Sequence, residues 1–226
     1  MGETVQIISA KDGFVFDAWR APTMDARRGG LVVCHAIWGV TPHLRGLAED
    51  YAEAGYETLT PSLFDRLHRG FAERDTDPAL QDRQMGFGEA TRWGADVLDA
   101  VQAAIDALAP PVFVMGFCYG GTVAWLASAR CTGVSAVSSF YGGQIPDYLD
   151  ETPQVPTILH HGRSDDLIPP MSVEAIREAH PDVPLHMYDA GHAFVAPNGF
   201  HAESANLSRL RTLQLFARNS GVRSEA

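Results

Sequence analysis

Val114-Met115-Gly116-Phe117-Cys118-Tyr119-Gly120-Gly121 is the stretch whose reading decides the fold. An apolar run, residues 111–115, leads into it, and a helix-like run, residues 122–130, leads out. Gly-x-Cys-x-Gly at a strand-to-helix junction has the form of a nucleophile elbow, with cysteine where serine is usual. An elbow forces its central residue into a strained backbone conformation, and side chains two positions to either side would collide. Gly116 and Gly120 remove those side chains. Cys118 is then expected at the start of a helix, whose dipole favours a thiolate.

Outward from the elbow, strand and helix signals alternate. Residues 5–8 and 14–19 alternate in polarity around Lys11-Asp12-Gly13, which predicts an N-terminal β-hairpin. Residues 31–37 are nearly all apolar, as in a strand buried on both faces. Residues 43–54 read as a helix stopped by Gly55, and 57–60 as a short strand ended by Pro61. The polar stretch 62–84 is a long connection of the kind that forms caps near active sites. Residues 87–108 have helical periodicity and end before Pro110-Pro111, with Phe87, Trp93 and Val97 as the core stripe. Strands are expected at 134–139, 157–161 and 185–189, and helices at 171–179 and 203–217. From residue 31 on, this alternation predicts an α/β fold with a mostly parallel central sheet and helices on both faces. Without repeats, low-complexity tracts or a linker, residues 1–226 are expected to form a single domain.

Composition narrows the function. The chain has 226 residues, 46% hydrophobic and 20% charged, enough for one globular core. Its net charge of −11, from 17 Lys+Arg against 28 Asp+Glu, argues against nucleic acid or an anionic membrane as partner. No signal peptide and no membrane span are read. Three cysteines without C-x-x-C spacing argue against a disulfide framework, so a reducing, cytoplasmic setting is expected. Cys34 and Cys131 read as packing residues. The expected partner is a small-molecule substrate, bound by a monomer.

A thiol nucleophile needs a base, and the base needs an orienting acid. Gly162-Arg163-Ser164-Asp165-Asp166-Leu167-Ile168-Pro169 follows one predicted strand, and Ala190-Gly191-His192-Ala193-Phe194 follows another. In a parallel sheet both loops lie at the carboxyl edge, where the elbow also opens. Nucleophile, acid, histidine is the chain order of α/β-hydrolases. With Ile37-Trp38-Gly39-Val40, these motifs make the chain resemble the dienelactone hydrolase family over residues 10 to 218. The resemblance implies an α/β-hydrolase fold and a triad of Cys118, Asp165 and His192, with Asp166 as the rival acid. It also implies an oxyanion hole from the amides of Ile37 and Tyr119, and no metal or organic cofactor. Trp38, Tyr141 and Phe194 follow motif positions and are candidates to contact substrate. Arg83, in the cap region, is the candidate partner for an anionic substrate.

The chain departs from the family at two points. Members that hydrolyse dienelactone carry a glutamate before the isoleucine of the oxyanion loop; here that residue is Ala36, preceded by His35. They also carry an arginine four residues after the catalytic histidine; here it is Ala196. His35 reads as a hydrogen-bonded histidine at a strand end. His160 and His161 point to opposite faces of their strand, which argues against a shared metal ion. The expected reaction is hydrolysis of an activated ester or lactone through an acyl-thioester. Acyl transfer, thioester hydrolysis, a non-catalytic binding role on the same fold, and thiol redox chemistry are the alternatives.

Overall fold

The computed structural model describes residues 2–24, 26–72 and 78–221. The strands in chain order are β1 (Glu3–Ile8), β2 (Val15–Ala21), β3 (Gly29–Cys34), β4 (Tyr56–Pro61), β5 (Val112–Phe117), β6 (Val134–Phe140), β7 (Thr157–Gly162) and β8 (Leu185–Tyr188). Among the described residues, six α-helices connect or follow them: α1 (Pro42–Glu53), α2 (Pro78–Ala90), α3 (Leu98–Asp106), α4 (Tyr119–Arg130), α5 (Pro170–Ala179) and α6 (Ala202–Arg218). All eight strands join one sheet in the order β1-β2-β4-β3-β5-β6-β7-β8. β1 and β2 form the N-terminal hairpin, and β2 pairs antiparallel with β4. Every other pairing is parallel. This is the α/β-hydrolase arrangement that the motif order implied.

The central strands are apolar on both faces because helices cover both. In β3, Val32 and Cys34 point into one core with Val101 of α3 and Val123 of α4. Leu31 and Val33 point the other way, into a core with Leu44 and Tyr51 of α1 and Phe216 of α6. Alternation in β5 is the same, Val112 and Val114 against Phe113 and Met115. Each side chain of these strands is therefore removed from water, and a polar substitution there would face an uncompensated burial cost.

Three expectations about elements need correction. The strand expected at 31–37 ends at Cys34, leaving residues 35–38 as a loop at the sheet edge. The helix expected over 87–108 is three pieces: α2 ends at Ala90, a 3₁₀ turn covers Arg92–Gly94, and α3 starts at Leu98. Gly94 has φ +118°, and a Cβ there would lie 2.7 Å from Val123 Cγ2, so the chain turns where it meets α4. Arg92 and Trp93 also have positive φ, and Trp93, half-buried at the break, still packs against the core cluster that holds Val97 and Phe87. A third concerns the connection expected at 62–84: α2 begins inside it at Pro78, and its residues 73–77 lie outside the described residues.

Candidate active site

The elbow is held by close backbone packing. Cys118 has φ 54° and ψ −116°, a conformation in which few L-residues rest. Its amide donates to Phe140 O of the next strand at 2.9 Å. A Cβ on Gly116 would stand 1.9 Å from Gly120 O, and one on Gly120 would stand 2.2 Å from Cys34 O. Neither position accepts any side chain without moving the backbone of β3, β5 or α4. Tyr119 is the first residue of α4, so its amide has no intrahelical partner.

Two further strand ends bring Asp165 and His192 together. Asp165 Oδ2 lies 2.8 Å from His192 Nδ1. The other oxygen accepts hydrogen bonds from the amides of Leu167 at 2.9 Å and Ile168 at 3.1 Å. Burial would raise the Asp165 pKa, but the imidazole and these two amides outweigh it and hold the carboxyl below its usual value. Asp166, the rival acid, is exposed. For His192, burial favours the neutral ring. The Asp165 carboxylate and the Cys118 sulfur overcome this and raise its pKa to about 10. Cys118 is thus close enough to act on the ring. His192 Nε2, however, is buried without a hydrogen bond of ordinary geometry.

A cavity of about 860 Å³ opens over Cys118, and Ile37, Trp38, Tyr119, Tyr141 and His192 all line it. Tyr141 is buried with its ring centroid 4.9 Å from that of His192. Phe194 is not a wall residue. Ala193 has φ 57°, and Phe194 is fully buried against Phe140, Tyr141 and Tyr188. Arg83 is exposed on α2 and does not line the cavity. Leu44 and Leu47 of α1, Met85 of α2 and Trp93 supply wall that sequence reasoning did not assign. For Leu44 and Leu47 the i, i+3 spacing was a signal of one shared face. For Trp93 there was none, because its placement follows from the break at Gly94.

His35 stands at the start of the loop that follows β3. Its Nε2 accepts the Leu63 amide at 3.0 Å, and its Nδ1 lies 2.6 Å from Ala36 O. Accepting at Nε2 leaves the proton on Nδ1, so the ring is neutral. Burial pushes its pKa down to about 4. It is a brace between two loops, packed on Phe64 and Tyr119. His160 bonds Tyr188 Oη at 2.7 Å and Ser138 Oγ at 3.1 Å in a separate buried network. Among the described residues, no group of three or more His, Cys, Asp or Glu side chains is placed to hold a metal ion. Among them, too, no helix is long and apolar enough to cross a membrane.

The sequence model of the dienelactone hydrolase family matches residues 16–220. The chain belongs to the dienelactone hydrolase family. Within that family, the carboxymethylenebutenolidase of Pseudomonas putida is 29% identical, and the match covers 93% of this chain and 94% of that protein. Among solved structures, a dienelactone hydrolase-like promiscuous phosphotriesterase from metagenomic libraries superposes with a TM-score of 0.76 at 20% identity, covering 97% and 98% of the two chains. An esterase from Pyrococcus furiosus gives 0.65 at 16%, covering 98% and 93%. These two likenesses concern the fold. Membership of the dienelactone hydrolase family makes the chain a hydrolase of the ester and lactone class.

Proposed function

We propose that this hydrolase acts through Cys118 as nucleophile, His192 as acid and base, and Asp165 as the group that orients His192. The observation that carries the reading is the Asp165–His192 pair beside a cysteine in an elbow conformation. His192 takes or holds the thiol proton. Cys118 attacks the acyl carbon, and the carbonyl oxygen gains negative charge, met by the amides of Ile37 and Tyr119. The intermediate collapses as the bond to the leaving oxygen breaks, and His192 gives that oxygen its proton. An acyl-thioester remains. Neutral His192 then takes a proton from water, the hydroxide adds to the acyl carbon, and the C–S bond breaks. The acid leaves and the pair is restored.

A sulfur nucleophile selects its substrates. The tetrahedral intermediate can expel either the thiolate or the alkoxide, and the group of lower pKa leaves faster. An alkoxide loses that competition by several pKa units, whereas an enolate or phenolate, close to the thiolate in pKa and protonated by His192 as it leaves, can compete. The substrates are therefore activated esters and enol-type lactones. The test is kcat/KM on phenyl acetate against ethyl acetate, with mass spectrometry of the acid-quenched enzyme. Phenyl acetate is expected to be faster by about 100-fold or more, with one acetyl group on Cys118. Equal rates, or an acyl group elsewhere, would sink the proposal.

A further inference from the structure

The cavity over Cys118 carries a second message in what surrounds it. Leu44, Leu47, Trp93 and Val195 form much of its wall, and Met85 and Leu167 stand at the mouth. Both mouth residues are exposed apolar side chains, 49% and 71% accessible, on a chain whose surface is otherwise rich in charge. Among the described lining residues there is no Lys, Arg, Asp or Glu. The imidazole nearest the chemistry, His192, is already engaged by Asp165. Substrate carrying a carboxylate would surrender its hydration to a wall whose described residues include two histidines, His43 and the Asp165-bound His192, but no Lys or Arg to receive it. It would also approach against a net charge of −11, a long-range field that disfavours anions. An uncharged apolar acyl group meets neither obstacle and gains from burial against the leucines and Trp93. A volume of about 860 Å³ accommodates a substrate well beyond an acetyl ester.

We infer that this site takes uncharged esters or lactones with an apolar acyl part and discriminates against substrates bearing a free carboxylate. The inference rests on the assignment of Cys118 as the acylated residue. Its test uses two 4-nitrophenyl esters of equal chain length, the hexanoate and the monoester of adipic acid, whose far end is a carboxylate. Leaving group and reacting carbonyl are the same, so the ratio of kcat/KM reports how the wall and the protein's field receive the far end of the acyl chain. The hexanoate is expected to win by roughly 100-fold or more, and added salt is expected to narrow the gap as the field is screened. Ala196 lines the cavity, and Ala196→Arg is expected to cut the ratio by at least about tenfold through a new partner for the carboxylate. If both esters acylate Cys118 and the adipate monoester matches or exceeds the hexanoate, the inference falls while the catalytic reading stands. A folded Ala196→Arg enzyme with the wild-type ratio would also overturn it. If neither ester acylates Cys118, the catalytic reading fails first. The wild-type ratio decides the matter even if the variant does not fold.

Discussion

Two histidines stand at the carboxyl edge of the sheet, and their surroundings shift their pKa values in opposite directions. His35 follows β3 and His192 follows β8. Burial pushes both rings towards neutrality. At His35 burial outweighs the backbone carbonyls of Ala36 and His35, which favour the charged ring, and the pKa falls to about 4. At His192 the Asp165 carboxylate and the Cys118 sulfur reverse it, and the pKa rises to about 10. Burial sets how much is at stake, and the partner decides the sign. One ring is thereby suited to the proton transfer proposed for it, while the other holds a backbone in place with a nitrogen that must stay unprotonated.

The sharpest way to test this division is to remove each ring in turn. His192→Ala is expected to lower kcat by about 10⁴-fold or more, the scale seen when one member of a catalytic triad is lost. The elbow should survive, since its geometry rests on Gly116, Gly120 and β3 rather than on the imidazole. Residual activity within tenfold of wild type, measured on a phenyl ester, would end the assignment of His192 as acid and base.

Asp165→Asn attacks the same contrast from its cause. Without the carboxylate, burial prevails at His192, and its pKa should move down towards that of His35. The expected loss in kcat is about 10²- to 10⁴-fold. Stability gives an independent reading. The folded pKa of His192 lies above the unfolded value near 6.5, so its stabilising contribution is full below pH 6.5 and is lost as pH rises through about 10. The wild-type Tm should therefore fall between pH 7 and pH 10 more steeply than that of Asp165→Asn. Parallel curves would refute the charge assigned to His192.

The two halves of this contrast were not equally legible in the sequence. Cys118, Asp165 and His192 could be picked out because sterics and hydrogen bonding write themselves locally: glycines two positions from a strained cysteine, and an acid and a histidine just past strand ends. The sheet was legible for a similar reason, since a strand covered on both faces must be apolar throughout. What the sequence could not display were placements fixed by contacts far along the chain. Periodicity runs on through Trp93, and only the approach of Gly94 to Val123 explains why the helix breaks and sends that ring to the cavity wall. Phe194 sits two residues from His192, yet the positive φ of Ala193 turns it into the core. Arg83 lies on a helix whose register against the site could not be read, and its side chain points to solvent exposure rather than to substrate. His35 read as a hydrogen-bonded strand-end residue, but its partner Leu63 is 28 positions away, and no local pattern names it.

The smallest expected effect belongs to that brace. His35→Phe keeps a ring between Phe64 and Tyr119 and removes both hydrogen bonds, leaving the Leu63 amide without its acceptor. A buried amide without a partner costs about 1–3 kcal/mol. The Ala36–Ile37 backbone would be less firmly held, so kcat should fall by about tenfold while KM stays within about twofold, since the wall residues are unchanged. His35→Gln offers an acceptor again and should recover part of the loss. The pH dependence runs opposite to that of His192. The folded pKa of His35 is depressed, so its contribution is full above pH 6.5 and is lost as pH falls through about 4. His161, also held down to about 4 by burial, shares that acid limb. Only the difference between wild type and variant therefore isolates His35: the phenylalanine enzyme should lose less Tm between pH 6.5 and pH 4. If its kcat equals the wild-type value at pH 7, the brace does not serve the oxyanion loop, and the division of labour between the two histidines reduces to the chemistry of one.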